Sequence, residues 1–165
     1  MKRVGIISDT HDVLRCEVKE ILKGCDAVIH GGDITTEEVL EEIRRLGNVY
    51  VVRGNNDWRF REKLQKSLRF EIEGVRFFRT HDKRDVSRRL EDVDVVIFGH
   101  SHKYYQETID GRLWLNPGAC GRPRFGLGLT MAVMEIEGGQ FQVEKISLDS
   151  VKKRLFEDPR KGILR

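Results

Sequence analysis

Short apolar stretches alternate with polar clusters along the chain, and the apolar spacing changes part-way through it. Short apolar runs, which are typical of buried strands, occupy residues 4–7, 27–29 and 49–52, and a further one, interrupted only by Asp94, occupies residues 93–98. Between the first three runs, apolar residues recur at helical spacing over residues 14–25 and 35–46. This order of strand, helix and strand predicts βαβ units at the start of the chain.

Later segments alternate between apolar and polar residues, which is the pattern of half-buried strands. Three pairs of them flank short turns and predict β-hairpins: residues 68–72 with 75–78, 104–109 with 113–115, and 129–136 with 141–146. Weaker helical patterns cover residues 59–66 and 85–90. Thr35 with Glu38 resembles a capping box at the start of the second helix. We therefore expect an α/β (α+β) fold of two packed sheets with helices outside.

Composition indicates one soluble globular domain. The chain has 165 residues, of which 39% are hydrophobic and 35% charged, with a net charge of +3. Residues 151–165 carry six Lys or Arg and two acids, so the rest of the chain sums to about −1. We expect a single domain over residues 1–150 followed by a basic tail. The tail is either solvated or an arm that contacts nucleic acid or a neighbouring subunit.

Other features of composition exclude some classes of protein. No apolar run approaches the length of a membrane span, and Met1 leads straight into a strand rather than a secretory signal. The cytoplasm is therefore the expected location, without membrane partners. The three cysteines, Cys16, Cys25 and Cys120, match no zinc spacing and are expected to be reduced packing residues.

Five polar clusters directly follow five predicted strands. They contain four of the five histidines of the chain, and their chemistry-bearing members are Asp9, His11, Asp33, Asn55, Asn56, His81, His100 and His102. Each cluster alone is ordinary turn or capping chemistry. Together they indicate a metal site, because ligands bind beyond the carboxyl ends of strands in open α/β sheets. Imidazole, carboxylate and amide donors without thiolate suit Mn²⁺, Fe, Zn²⁺ or Ni²⁺ rather than Ca²⁺.

The motifs D-T-H, G-G-D, G-N-N-D, T-H and G-H-S-H occur in the order found in a known family. Over residues 1–147 the chain resembles the calcineurin-like metallophosphoesterase superfamily, and within it the small single-domain phosphodiesterases of bacteria and archaea. The resemblance implies a four-layer αββα sandwich of two mixed β-sheets flanked by helices. It also implies a centre of two divalent metal ions, with Mn²⁺ expected first and Ni²⁺, Fe or Zn²⁺ as alternatives.

The resemblance also implies roles for individual residues. One metal ion would be held by Asp9, His11 and His102. The other would be held by Asn55, His81 and His100, and Asp33 would bridge both ions. His30 and Asp57 are expected to orient these ligands by hydrogen bonds.

The implied activity is metal-dependent hydrolysis of phosphodiesters by attack of a hydroxide that bridges the two metals. Asp33, Asn55 and Asn56 are the residues expected to act in catalysis. Many relatives carry His or Cys where this chain has Asn56, and an amide cannot deliver a proton at neutral pH. The sequence therefore predicts a preference for phosphodiesters with acidic leaving groups.

Several alternatives stay open. The same site could serve a nuclease or a phosphomonoesterase, and the substrate could be a small phosphodiester, a nucleotide or a nucleic acid. The fold also serves as a non-catalytic scaffold in the retromer complex. Self-association is a further expectation. The loop at residues 116–121, with Arg122 and Arg124, either shapes substrate access or is an ordinary turn with solvated arginines.

Overall fold

Two five-stranded β-sheets lie face to face in the computed structural model, which describes residues 1–123 and 126–149. The first sheet has the order β10-β9-β1-β2-β3. Its strands are β1 (Lys2–Ile7), β2 (Ala27–His30), β3 (Val49–Val51), β9 (Thr130–Glu137) and β10 (Gln140–Ser147). The second sheet has the order β4-β5-β6-β8-β7. Its strands are β4 (Ser67–Ile72), β5 (Val75–Thr80), β6 (Val95–Ile97), β7 (Tyr105–Ile109) and β8 (Arg112–Asn116).

Both sheets are mixed, and their parallel strands position the polar clusters. In the first sheet β1, β2 and β3 run parallel, whereas β9 pairs antiparallel with both of its neighbours, β1 and β10. In the second sheet β5, β6 and β8 run parallel, with β4 and β7 as antiparallel edges. The predicted βαβ units and all three hairpins are confirmed. Parallel neighbours end at the same edge of a sheet, so the loops after β1, β2 and β3 meet, as do those after β5 and β6.

The main core lies between the two sheets. Val4 and Ile6 of β1 face Phe77 of β5 and Ile97 of β6, all at or below 1% exposure. Two helices cover the outer face of the first sheet: α1 (Cys16–Lys23) and α2 (Glu37–Arg44). Their apolar residues join two further buried clusters against β1, β2 and β3. This half of the molecule has the predicted helical layer.

The outer face of the second sheet is covered by a loop rather than a helix in the part of the chain that the structure describes. Phe78, Val96 and the loop residues Leu90 and Val93 form this cluster. The helix predicted over residues 85–90 is wrong, because only a 3₁₀ turn forms, at Lys83–Asp85. Val86 and Leu90 are the only apolar residues of this six-residue segment, and their packing is too little to stabilise so short a helix.

Two other predictions of local structure are also wrong. The helix expected over residues 59–66 shortens to a 3₁₀ turn at Trp58–Phe60, although Phe60 and Leu64 are buried as its spacing implied. The N-cap of α2 is Thr36 rather than Thr35, since the Thr36 hydroxyl oxygen accepts a hydrogen bond from Val39 N at 3.4 Å.

The predicted basic tail, residues 151–165, lies outside the described residues, so the domain boundary near residue 150 stays a prediction. Among the described residues, no helix has the length and apolar character needed to cross a bilayer.

Candidate metal centre

The five polar loops meet at the seam between the two sheets. Backbone hydrogen bonds extend the strand pairing into the loops: Asp9 N donates to Gly32 O at 3.0 Å, and His11 N donates to Asp33 O at 2.9 Å. His100 N, from the second sheet, donates to the Asp9 carboxylate at 3.3 Å. The first two bonds join loops of the first sheet to each other, and the bond from His100 fixes a loop of the second sheet against them.

Left-handed backbone turns most of the predicted ligands into the centre. The φ angles are 54° at Asp9, 42° at His11, 59° at Asp33, 74° at His100 and 63° at His102. Because β1 ends at Ile7, Asp9 and His11 lie beyond the strand, and these angles rather than an extended chain direct their side chains. Non-glycine residues adopt such angles at a cost of about 1–3 kcal/mol each. Strain of this kind clusters at functional sites.

Carboxylate and imidazole atoms converge in two overlapping groups. Asp9, His11 and His102 form one group, and Asp9, Asp33 and His81 form the other, each with ligand atoms within 4.8 Å of one another. Asp9 Oδ1 lies 3.6 Å from His11 Nε2 and 3.4 Å from His102 Nε2. Asp33 Oδ2 lies 3.2 Å from His81 Nε2 and 3.5 Å from His11 Nε2. Asp33 thus faces histidines of both predicted ligand sets.

Asn55 and His100 lie on the exposed side of this cluster. The Asn55 amide nitrogen is 3.2 Å from His100 Nδ1, and rotation of the amide would present its oxygen at the same place. The His100 ring packs edge-on against His81, with centroids 5.4 Å apart. All seven residues predicted to bind metal therefore meet at one place in the fold.

Asn56 contacts the same carboxylate. Its backbone N–H donates to Asp33 Oδ1 at 2.8 Å and its side-chain amide donates to Asp33 Oδ2 at 3.2 Å. Burial alone would raise the pKa of Asp33, but the His81 imidazole and the Asn56 N–H outweigh it and hold that pKa below its usual range. Burial likewise opposes the lowered pKa of Asp9, which His11 and His81 cause. Both carboxylates are therefore ionised at neutral pH.

The donor atoms fit a bound cation. Asp9 Oδ1, His11 Nε2 and His81 Nε2 are buried and have no hydrogen-bond partner among the described residues. Leaving such a buried atom unsatisfied costs about 1–3 kcal/mol. The His81 Nδ1–H donates to Gly31 O at 2.6 Å, which orients Nε2 towards the carboxylates as in many metal-ligating histidines. Divalent ions bound at the two groups would satisfy these atoms.

His30 and Asp57 orient backbone rather than ligand side chains. His30 Nδ1 accepts from Gly32 N at 2.9 Å, and its Nε2–H donates to the Thr10 hydroxyl at 3.1 Å. Burial, together with the charge of Arg79, lowers the pKa of His30 to about 3, so this ring is neutral.

Asp57 accepts hydrogen bonds from three backbone N–H groups, all at 2.8 Å. The donors are Ile34 N, Thr35 N and Gly54 N. Asp57 therefore joins the loop that carries Asp33 to the loop that carries Asn55. Among the described residues, neither His30 nor Asp57 forms the predicted hydrogen bonds to ligand side chains. Both instead bind backbone N–H groups of the loops that carry the ligands.

Arg79 is a buried residue of this site that the sequence analysis missed. Its guanidinium is 0% exposed, and none of its three nitrogens has a hydrogen-bond partner among the described residues. Burial lowers the pKa of Arg79 to about 9, although the charge of Asp9 opposes the shift. A Cβ at Gly31 would lie 1.0 Å from Arg79 Nη2, which explains the glycine there. The signal in the sequence was an arginine two residues after the core residue Phe77, on the inward face of β5.

The loop at residues 116–121 supports the G-H-S-H turn. The buried Asn116 amide donates to Gly99 O at 3.2 Å and to the Ser101 hydroxyl at 3.1 Å. Arg122 Nε donates to His11 O at 3.3 Å, whereas Arg124 lies outside the described residues.

The three cysteines are free thiols, as predicted, but the packing role expected of Cys16 is wrong, because its side chain is exposed at the start of α1. Burial raises the pKa of Cys120 to about 12, and its Sγ–H donates to Ser8 O at 3.6 Å. A thiol with so high a pKa is neither a ligand nor a nucleophile at neutral pH.

Comparison with known proteins agrees with this arrangement. The family model for the calcineurin-like phosphoesterase superfamily domain matches residues 1–139. A phosphodiesterase of Methanocaldococcus jannaschii is 33% identical over 152 residues, covering 76% of this chain and 91% of the relative. The structure of an archaeal phosphodiesterase superposes with a TM-score of 0.71 at 28% identity, covering 87% of this chain and 99% of the other.

A further solved structure shares the fold. Vps29 of Entamoeba histolytica, solved in complex with zinc, superposes with a TM-score of 0.71 at 21% identity, covering 88% of this chain and 98% of the other. At that identity the likeness concerns the fold alone. The family match over residues 1–139 and the ordered Asp, Asn and His clusters lead to one conclusion: the chain belongs to the calcineurin-like phosphoesterase superfamily.

Proposed function

We propose that this protein is a divalent-metal-dependent phosphodiesterase. The observation that carries the proposal is the position of Asp33, whose Oδ2 lies 3.2 Å from His81 Nε2 and 3.5 Å from His11 Nε2. One carboxylate facing imidazoles of two ligand sets is the arrangement that a pair of adjacent metal ions requires. Relatives described as phosphodiesterases support the same activity.

The ligand sets are proposed as follows. Asp9, His11 and His102 would hold one ion, Asn55, His81 and His100 the other, and Asp33 both. Two divalent ions supply, when bound, an activated water and Lewis-acid neutralisation of the phosphoryl oxygens. We propose Mn²⁺ first, since mixed oxygen and imidazole donors without thiolate suit it, with Ni²⁺, Fe and Zn²⁺ as alternatives.

The protein's own groups keep the site charged and ordered. Hydrogen bonds from Asn56 fix the Asp33 carboxylate. The Gly31 carbonyl fixes the ring of His81 in the tautomer that leaves Nε2 for metal. An activated water supplies the attacking oxygen in this proposal, so the reaction needs no covalent intermediate with the protein.

Asn56 sets the proposed leaving-group preference. Its amide is engaged with Asp33 Oδ2 at 3.2 Å, and an amide carries no proton that it can release at neutral pH. The departing oxygen therefore receives no proton from this position. We propose that the enzyme favours diesters whose leaving groups are acidic, such as aryl esters.

A metal-supplemented assay tests the proposal. The protein is stripped with EDTA and assayed with bis(4-nitrophenyl) phosphate in the presence of Mn²⁺, Ni²⁺, Zn²⁺ or Mg²⁺. We expect turnover that depends on added metal and is lost in Asp33→Ala. Asp94→Ala is the matched control, because Asp94 is paired with Arg76 and lies outside the site. A fully folded protein that neither binds metal nor hydrolyses any ester would instead indicate a scaffold of the Vps29 kind.

A further inference from the structure

A groove adjoins the metal centre on the side of His100. It has a volume of about 280 Å³, and its main lining residues are Asp82, Lys83, Phe98, His100, Lys103 and Tyr105. Two lysines and two aromatic side chains therefore line this groove. The predicted ligand set uses only His100 of these residues, so the rest of the groove has no assigned role.

His100 is the wall that the groove shares with the metal centre. Its Nδ1 lies 3.2 Å from the Asn55 amide in the centre, whereas its Nε2 lies 3.8 Å from Asp82 Oδ2 on the groove side. The imidazole is 41% exposed, so it separates the two spaces without closing either. A substrate with its phosphoryl group at the metal centre can therefore continue past His100 into the groove.

Lys83 is held over aromatic rings rather than by an acid. Its Nζ lies 5.1 Å from the ring centroid of Tyr105, 5.7 Å from that of Phe98 and 5.8 Å from that of Trp114. The adjacent Asp82 is neutralised by Arg84, whose Nη2 donates to it at 2.7 Å. Within residues 1–123 and 126–149, neither Lys83 nor Lys103 forms an ion pair. Both lysines are exposed, so their charges are available to an anion.

One acid contacts Tyr105 directly. Glu107, two residues along β7, accepts a hydrogen bond from the Tyr105 hydroxyl. This bond occupies the polar tip of the ring, and Lys83 lies over one of its faces, so a stacked base would use the other face. An anion with an attached aromatic ring therefore matches the groove: the anion would lie against the lysines and the ring against Tyr105.

We infer that the groove binds the nucleoside and the neighbouring phosphate of a nucleic-acid strand that is cleaved at the metal centre. The base would stack on the ring of Tyr105, and the phosphate next to the scissile one would contact Lys83 and Lys103. The inference rests on the proposed phosphodiesterase activity and specifies its substrate as a short oligonucleotide.

Steady-state kinetics with matched dinucleotides test the phosphate contact. The substrates are thymidylyl-thymidine without a terminal phosphate and the same compound phosphorylated at its 5′ or its 3′ end. We expect one phosphorylated form to have a KM about tenfold lower, the size of a charge-assisted contact. Lys83→Met should abolish this preference.

The control variant is Lys145→Met, since Lys145 makes the same kind of contact over Tyr104, at 5.0 Å, outside the groove. It should keep the preference of the wild type. Equal KM values for all dinucleotides in the wild type, or an unchanged preference in Lys83→Met, would overturn the inference. Turnover of bis(4-nitrophenyl) phosphate alone would overturn it as well, while the proposed function would stand.

A binding measurement is independent of turnover. The chain has two tryptophans, so Trp58→Phe leaves Trp114, beside Lys83, as the only one. Titration of this variant, free of metal, with thymidine 3′,5′-bisphosphate should change the Trp114 fluorescence with saturation. Adding Lys83→Met should weaken binding about tenfold, as expected for loss of a charge-assisted contact. No saturable change, or equal affinity in both proteins, would overturn the groove assignment whatever the activity of the enzyme.

Discussion

His81 Nε2 lies 3.2 Å from Asp33 Oδ2, and this contact joins the loop after β5 in one sheet to the loop after β2 in the other. Burial would lower the pKa of His81, but the facing carboxylates of Asp33 and Asp9 raise it. Because only the unprotonated Nε2 can bind a metal ion, metal binding should weaken as the pH falls through this raised pKa.

Asp33→Asn tests the contribution of this carboxylate. The variant keeps an oxygen that can accept the 2.8 Å hydrogen bond from Asn56 N, but it loses the charge that faces both histidines. We expect Mn²⁺ affinity to fall by at least about 100-fold, the upper range for residues that only orient ligands. Isothermal titration with Mn²⁺ measures this loss, and an affinity equal to that of the wild type would exclude Asp33 as a ligand.

Asp57→Ala should destabilise the fold of the metal-free protein. Three backbone N–H groups at Ile34, Thr35 and Gly54 would lose their acceptor. We expect the free energy of unfolding to fall by about 2–4 kcal/mol, since each unsatisfied buried donor costs about 1–3 kcal/mol and water compensates part of it. Urea denaturation measures the change. Asp57→Asn, which keeps one acceptor oxygen, should lose less; a loss no greater than that of a surface substitution would contradict the assigned role.

Asn56→His should change the leaving-group preference. An imidazole at this exposed position can deliver a proton that the amide cannot. We expect the rate with alkyl diesters to rise by about 100-fold, the lower range for general acid catalysis, and the rate with bis(4-nitrophenyl) phosphate to change little. Rates across a leaving-group series measure the effect. A uniform change for alkyl and aryl diesters would show that proton delivery at this position is irrelevant.

Arg79→Met should strengthen metal binding. Arg79 places an unpaired buried charge near Asp9, and this charge repels any cation in the site. Methionine fills similar space without charge, so we expect the dissociation constant for Mn²⁺ to fall by roughly tenfold or more. Arg76→Met, on the same strand but exposed and paired with Asp94, is the control and should leave the affinity unchanged. Weaker Mn²⁺ binding in Arg79→Met would show that the guanidinium supports the ligands instead.

The sequence allowed the location of the site to be predicted because its residues follow the strands directly. Parallel neighbours end at one edge, so Asp9, Asp33 and Asn55 had to come together, as did His81 and His100. The packing of the two sheets against each other could be predicted from the apolar residues of their strands, such as Phe77 and Ile97, which face the common core.

Other features depend on tertiary contacts and could not be predicted locally. The left-handed backbone at Asp9, His11 and Asp33 accompanies hydrogen bonds between neighbouring loops, which no local sequence pattern encodes. The expected helices at residues 59–66 and 85–90 shorten to single turns, because a short segment gains too little burial to stabilise a helix.

Anomalous scattering from crystals grown with Mn²⁺ is the most direct test of the proposed two-metal centre. We predict two peaks about 3.5–4 Å apart, the spacing of paired metal sites. Both peaks should contact Asp33, one on the side of His11 and the other on the side of His81. A single peak, or none within contact of Asp33, would contradict the account.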